Sequence, residues 1–537
     1  MKLLLHGLLC ILLFLYWVSC SPTSQYKVYY ISPDGSDQAD GLSPSSPWRS
    51  LAKLNETVFQ PGEQILLKKD GVWQGNLQPQ GNGQVGLPIL LSSYGSGAPP
   101  VINIGEEGVG IELINQSCWE IAGIEVTSGA PHKLDVRRNG IMAIAKGETG
   151  KVEHIVIRDC YIHDMWGQVG GDKSGIAIYV GERILGPQQK YNCPTNDVLI
   201  ENNRIERMDK VGIAVNGDDG IVIRGNHMDN LGGDGIVLIG ANKGLIEYNI
   251  ADRTCMRSGD LDLDTGGEDW WPHTAAIWLW KNTETVMQFN EVYNTGRQPA
   301  NGDGEAFDFD FECKKCVLQY NYSRNNKGFL LIMDNTYQNV ARYNVSENDQ
   351  THLINMFCDT SEQNLIHNNV FYVDYGTVDI DYFYGDSYGP EKGKGKKDIS
   401  KLGAQFRNNI FYASGQGRFR RVYSHGDSLN SALYRKYDDH FPPPPSIPGT
   451  KFYGNCYYGP WLNGMPDDPK ALLADPMLVA AGTGETGLHS VGGYQLQPNS
   501  PCISAGLPVH TPVTHDYFGN SLADERLDIG VHQFSTQ

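Results

Sequence analysis

The chain has 537 residues, with 43 Lys and Arg against 62 Asp and Glu, a net charge of −19. That balance excludes nucleic acid as a partner, because neutralising a phosphate backbone takes basic surface, and a hydrophobic fraction of 40% excludes wholesale disorder. With 62 Gly and 28 Tyr beside only 20% charged residues, the composition suits short strands and tight turns and excludes an all-helical protein.

Residues 1–20, MKLLLHGLLCILLFLYWVSC, carry one Lys and then an apolar run from Leu3 to Val18, interrupted by His6 and Gly7. This is the pattern of a secretory signal peptide, and the run is shorter than the ~20 residues a membrane span needs. Ser19-Cys20-Ser21 resembles a lipoprotein cleavage site, which would leave Cys20 lipidated, although Trp17 stands where an aliphatic residue is usual. The protein is therefore expected to be exported, as a cell-surface or outer-membrane lipoprotein or as a periplasmic or secreted protein. Its only expected membrane contact is a lipid on Cys20. The cysteines beyond the leader, from Cys118 to Cys502, are too sparse for a disulfide scaffold. Cys313-Lys314-Lys315-Cys316 lacks a second such pair or a His pair at zinc spacing. A turn disulfide or two buried thiols is expected there.

The organising signal is a short apolar stretch ending in Asn. VLIENN ends at Asn203, IVIRGN at Asn226, GLIEYN at Asn249, TVMQFN at Asn290, CVLQYN at Asn321, NVARYN at Asn344, NLIHNN at Asn369 and AQFRNN at Asn409. The successive gaps are 23, 23, 41, 31, 23, 25 and 40, one value near 23 and longer ones that an inserted loop explains. IVIRDC, ending at Cys160, and KFYGN, ending at Asn455, look like further members at the two ends. A period this short, with β-branched and aromatic residues alternating, is one turn of a β-solenoid, whose strands bury their inner face only by stacking on neighbours. A propeller blade needs ~40 residues. Asn at one place in each turn suits a bend, since it tolerates left-handed backbone and its amide can ladder with the Asn one turn above.

The segment YYISPDGSDQADGLSPSSPWRSLAKLN, from Tyr29 to Asn55, and the ending DYFGNSLADERLDIGVHQF, from Asp516 to Phe534, together with these repeats, resemble secreted bacterial right-handed parallel β-helix proteins that act on carbohydrates, the pectate-lyase-like superfamily. The resemblance implies an all-β, single-stranded parallel β-helix, with Trp48-Arg49-Ser50-Leu51 opening a short capping helix. The implied organisation is a leader at 1–20, an N-terminal cap at 21–100, the β-helix with inserted loops at 101–460 and a covering segment at 461–537, as a monomer. The superfamily includes lyases, hydrolases, epimerases and non-catalytic binders, so the reaction must be read from displayed residues.

After each Asn repeat comes a second strand: GIAVNG from Gly212, GIVLIG from Gly235, AIWLWK from Ala276, AFDFDF from Ala306, GFLLIM from Gly328 and HLINMF from His352. Alternation sends Ile213 and Val215, Ile236 and Leu238, Ile277 and Leu279, and Phe307 and Phe309 inward. Ala214, Asn216, Val237 and Ile239 are then expected to face solvent, followed by Trp278 and Trp280, then Asp308 and Asp310, with Glu312, Asp334 and Asn355 close behind. Exposed indoles beside carboxylates are what a sugar-cleaving groove requires, the rings stacking on pyranose faces and the carboxylates serving as acid, base or nucleophile. Burial of the indoles under the loop 253–273 is the alternative. Two Asp on neighbouring outward positions repel each other unless something uses them. Side chains two apart on a strand lie ~6.5 Å apart and those on stacked turns ~4.8 Å, so Asp308 with Asp310 matches an inverting pair and Glu312 with Asp334 approaches a retaining one. Repulsion would hold one of them protonated.

The expected function is a secreted or surface-anchored glycoside hydrolase degrading a polysaccharide or oligosaccharide, with Asp308, Asp310, Glu312 and Asp334 catalytic. Trp278, Trp280, His273, Lys281, Arg297 and Asn355 are the substrate-binding candidates. No cofactor is expected beyond calcium, for which Asp260, Asp262 and Asp264 in SGDLDLDTGGEDWWPH resemble a loop that lacks the sixth-position Gly and the terminal Glu. A solvated acidic loop or a groove wall offering Trp270, Trp271 and His273 explains the same residues. A uronate-cleaving lyase is the alternative, drawing on Lys281, Arg297, Arg324 or Lys327 to take the proton. An acidic face would repel a polyuronate unless calcium intervened. A third reading is a non-catalytic glycan-binding surface protein that uses the indoles alone.

Overall fold

Short alternating segments that cannot bury one face alone stack on their neighbours, and each repeat of this chain contributes one strand to each of three parallel sheets. The computed structural model describes residues 26–131, 136–147, 149–166, 175–182, 195–256, 274–296, 303–333, 335–357, 361, 363–380, 382–384, 403–421, 450–510, 512–522 and 527–535. Among these, the sheets hold 14, 13 and 13 strands, ordered turn by turn along the axis. The architecture is the all-β parallel β-helix. No described helix is long and apolar enough to cross a membrane.

Register explains the core. In the first sheet Ile200, Ile223, Ile246, Met287 and Leu318 occupy one column on successive turns and all are fully buried. In the third sheet Ile213, Val215, Ile236, Leu238, Ile277, Leu279, Phe307 and Phe309 point inward as alternation requires. Each such side chain contributes about 1.5–3 kcal/mol.

The repeated Asn form a ladder inside the bend between the first and second sheets. Asn203, Asn226, Asn249, Asn290, Asn321, Asn344, Asn369 and Asn409 each donate from Nδ2 to Oδ1 of the next at 2.9–3.0 Å, ending on Asn455. Each backbone N–H bonds that same oxygen, as in Asn290 N to Asn321 Oδ1 at 2.8 Å. Cys160 N donates to Asn203 Oδ1 at the start, and the last amide, Asn455 Nδ2, donates to the Asp468 carboxylate at 2.9 Å. The left-handed backbone expected at the ladder Asn belongs instead to the residue before it, for example Tyr248 (φ 56°), Phe289 (53°) and Tyr320 (57°). That residue turns the chain so that the Asn side chain can point inward, where an unpaired amide would be costly.

Stacked turns begin before residue 101: Val28–Ile31, Gln64–Lys68 and Ile89–Tyr94 already lie in the first sheet. Ser50 caps a five-residue helix, Leu51–Asn55, its hydroxyl accepting from Lys53 N. The C-terminal segment runs back along the outside of the second sheet. Gly487 N donates to Glu291 Oε2 at 2.8 Å and Tyr494 OH to Glu347 Oε2 at 2.7 Å, while Val491, Leu496 and Ile529 pack against Tyr322, Val345 and Val370. Cys313 and Cys316 are buried thiols rather than a disulfide. The connections that lengthen the repeat, from Asp252 to Ile277, Tyr293 to Glu305, Tyr384 to Ala404 and Arg421 to Lys451, all begin or end at the third sheet.

Candidate active site

The outer face of the third sheet changes character along the axis. On the early turns Met142, Tyr179, Ala214 and Val237 share one outward column, which continues into Trp278, Asp308, Leu331 and Asn355. Met142, Tyr179, Ala214, Val237 and Ile239 form a buried apolar cluster, against which Trp278 and Trp280 pack half-buried. The solvent-facing expectation for Ala214, Asn216, Val237 and Ile239 is thus corrected: they point away from the core, yet all are buried. Facing outward from the core does not entail exposure where the outward side chains of adjoining turns pack against one another.

One turn beyond the indoles the surface becomes acidic. Asp308 stands beside Trp278 in register, between the inward Phe307 and Phe309, and only 5% of its surface is exposed. Glu305 opens the same strand, Glu305–Phe309, and is fully buried. Strict alternation would send Glu305 inward with Phe307. Instead Ala306 and Phe307 both point inward, and this break in parity turns Glu305 out beside Asp308. The same doubled apolar pair recurs at Ala276-Ile277, Phe329-Leu330 and Leu353-Ile354. Glu305 then crosses Gly328 of the next turn, where a Cβ would sit 2.7 Å from Glu305 Cγ, and its Oε1 accepts from Asn355 Nδ2 at 3.0 Å. Asp234, buried on an earlier turn, accepts on Oδ1 from Trp278 Nε1 at 3.0 Å and Ala275 N at 3.2 Å, holding the first indole in place.

Burial above all pushes the Asp308 carboxyl well above the usual carboxylate range, and the charges of Asp310, Asp303, Glu305 and Asp234 add to it. Burial likewise pushes Glu305 up to about 7, with Asp303 reinforcing it and Lys327 and the Asn355 bond opposing. Asp234 also rises to about 7 through burial, against Lys210 and its two N–H donors. Among the described residues, Asp308 Oδ1, Glu305 Oε2 and Trp280 Nε1 are buried with no hydrogen-bond partner. Asp303 and Asp310, at the two ends of this strand, are the partly exposed carboxylates of the group.

The other expected site residues divide. Asp310 lies just past the strand, its own carboxylate accepting from Phe311 N at 2.7 Å, so it starts the bend rather than extending the strand. Glu312 is exposed two residues further round, at φ 63°, and therefore stands on the corner rather than on the wall with Asp308. Asn355, in the outward column, is buried and donates to Glu305. Lys281 lies over the Trp280 ring at 5.3 Å. Arg324, weighed as a lyase base, sits in the second sheet and pairs with Glu347 at 3.2 Å, away from the site. Asp334, His273, Arg297, Asp260, Asp262, Asp264, Trp270, Trp271 and Cys20 lie outside the described residues. Asp234, Asp303 and Glu305 were missed by alternation. The doubled apolar pairs are the sequence signal that would have revealed Glu305.

Comparison with known proteins bears on the fold and the class of relative. A family model described as "Right handed beta helix region" matches residues 103–371. A lacto-N-biosidase of Bifidobacterium longum subsp. longum is 24% identical over 96% of this chain, which spans 37% of that protein's length. Two crystal structures of GH136 lacto-N-biosidase from Eubacterium ramulus superpose with TM-scores of 0.56 and 0.54 at 26% and 25% identity, covering 64% and 65% of this chain and 64% of each of theirs. The chain thus spans about a third of the curated relative and less than two thirds of each solved one.

Proposed function

We propose, from the premise that this chain belongs to the right-handed β-helix family, that it is a glycoside hydrolase acting on an oligosaccharide at the outer face of its third sheet. The observation that carries this reading is the carboxylate group on one strand: Asp303 and Asp310 partly exposed at its ends, with Asp308 and Glu305 buried between them. A substrate can reach Asp310, and Asp308 stands two residues before it, on the strand. Asp308 and Asp310, two residues apart and so ~6.5 Å apart, are the pair spaced to share the two tasks of glycosidic cleavage, protonation of the leaving oxygen and base assistance to a water at the anomeric carbon. Asp308, raised by burial and by its acidic neighbours, keeps a proton within the group. Trp278 and Trp280 offer half-buried rings to the sugar faces. Two-carboxylate hydrolysis of this kind needs no cofactor.

The likeness to lacto-N-biosidases directs the first assay to lacto-N-biosides. Asp308→Asn and Asp310→Asn are each expected to lower kcat/KM by about 10²–10⁴-fold with folding retained. The acid variant should recover on aryl glycosides with good leaving groups, while the other should not. Turnover unchanged in both variants would refute the reading, and an unsaturated uronate product would replace it with the lyase alternative. The leader, residues 1–20, supports export, with Cys20 as the acylated residue, and we take the mature chain to act as a monomer.

A further inference from the structure

We propose that Tyr248, at the corner between the first and second sheets, is the platform of a second glycan-binding site, which takes one neutral pyranose ring as an added member of an aromatic stack. The inference goes beyond the hydrolase reading and stands without it. Over six successive turns the residues just before the ladder Asn are Asn202, Gly225, Tyr248, Phe289, Tyr320 and Tyr343. The rings of Tyr248, Phe289 and Tyr320 form a column. Tyr248 stacks on Phe289 at 4.9 Å with planes 8° apart, and Phe289 on Tyr320 at 5.1 Å and 15°, close to the ~4.8 Å between stacked strands. Toward the C-terminus the column is closed: His515 stacks on Tyr320 at 4.8 Å, the Tyr320 hydroxyl donates to the His515 carbonyl at 2.9 Å, and Tyr320 is 3% exposed. Toward the N-terminus it is open, with Tyr248 53% exposed.

Phe289 covers one face of the Tyr248 ring, so the other looks along the axis to the level of Gly225, which has no side chain to cover it. Backbone geometry does not by itself demand glycine there. Gly225 lies at φ 65°, yet Tyr248, Phe289 and Tyr320 occupy the same left-handed region at 56°, 53° and 57°. The gap is one strand spacing deep, the separation at which a sugar ring packs on an aromatic face. Its rim is polar. Arg224 pairs with Glu201 Oε2 at 2.8–2.9 Å and stands in register with Glu247 on the next turn. Asn202 Oδ1 lies 2.5 Å from where a Cβ on Gly225 would stand, and exposed His227 adjoins on the second-sheet side. A guanidinium, two carboxylates, an amide and an imidazole supply donors and acceptors for sugar hydroxyls, while the ring takes the C–H face of the sugar. Because Arg224 is already paired and Glu247 adds a negative charge, a neutral sugar is favoured over an anionic one. This corner lies off the third sheet that carries Asp308, so the site would hold the protein to a longer glycan rather than align the bond that is cleaved.

The test measures binding to the full chain by saturation-transfer NMR, with cellopentaose, xylopentaose and chitopentaose as probes. Wild type is compared with Tyr248→Ala, Tyr248→Trp and Gly225→Asn. The last leaves the aromatic column intact and fills the gap, its Cβ displacing only the tip of the Asn202 side chain, so it carries the test should Tyr248→Ala fail to fold. Both Tyr248→Ala and Gly225→Asn should weaken binding of at least one probe by tenfold or more, whereas Tyr248→Trp should retain it. Binding unchanged in Gly225→Asn overturns the inference whatever Tyr248→Ala does, because the ring would then only end the column. Absence of transfer from wild type to every probe at about 10 mM overturns it too. Turnover of a short aryl glycoside should stay within twofold of wild type in all three variants. Binding as expected in a chain that cleaves no glycan removes the hydrolase reading and leaves this site in place.

Discussion

Asp234 offers a quantitative test of the electrostatics described for the site. It is 4% exposed, and burial raises its carboxyl from 3.8 to about 7. Below the lower value both the folded and unfolded chains hold the proton and the group is neutral to stability. As pH rises the unfolded chain releases it first, so the folded state loses ground until the buried acid also ionises near 7. At about 1.4 kcal/mol per pH unit the full loss is ~4 kcal/mol. Asp234→Asn removes the titration while keeping the two bonds observed, because Trp278 Nε1 and Ala275 N both donate to Oδ1 and an amide oxygen can accept both. The variant should match wild type within about 1 kcal/mol at pH 4 in urea unfolding. Its advantage should grow through pH 5.5 and level off above pH 7.5 at ~3–4 kcal/mol. Removal of one charge facing Asp308 acts in the same direction. A difference between variant and wild type that stays flat across this range would refute the reasoning.

Two substitutions examine the scaffold that carries the site. Asn321→Ala removes the acceptor of Asn290 N and Nδ2 and the donor to Asn344 Oδ1. It should cost about 2–4 kcal/mol by urea unfolding, and a loss under 0.5 kcal/mol would mean the ladder contributes little. Gly328→Ala places a Cβ 2.7 Å from Glu305 Cγ and 2.8 Å from His352 O. It should cost about 1–3 kcal/mol and lower kcat/KM at least tenfold, whereas full activity would show that the path of Glu305 over this glycine is immaterial.

The period of the Asn ladder was legible because it depends on one residue type at one place in each turn, and the ladder holds from Cys160 to Asn455 where the spacing located it. The inward columns were legible for the same reason, as Ile277 and Leu279 or Phe307 and Phe309 obey period two. Position within the site was less so. Alternation located Asp308 beside Trp278 but failed at Glu305, because Ala306 and Phe307 share one side of the chain where the second sheet bends into the third. Exposure was not legible either: Val237 and Ile239 point outward, yet the outward side chains of adjoining turns, among them Ala214 and Trp278, pack against them. Sequence period reports direction from the axis, whereas burial depends on what else packs there. Asp234 belongs to the same class of omission, since its importance comes from an indole 44 residues away.

The Asn ladder has a direction, each amide giving its proton toward the C-terminal turn and the last one reaching Asp468. A chain so threaded changes length in quanta. Loss of 204–226 would hand Asn203 directly to Asn249, preserving every donor and acceptor, whereas loss of half as many residues would leave a buried amide facing the wrong rung. The growth step of such a protein is the whole coil, and its loops are free to vary only where they leave the thread untouched.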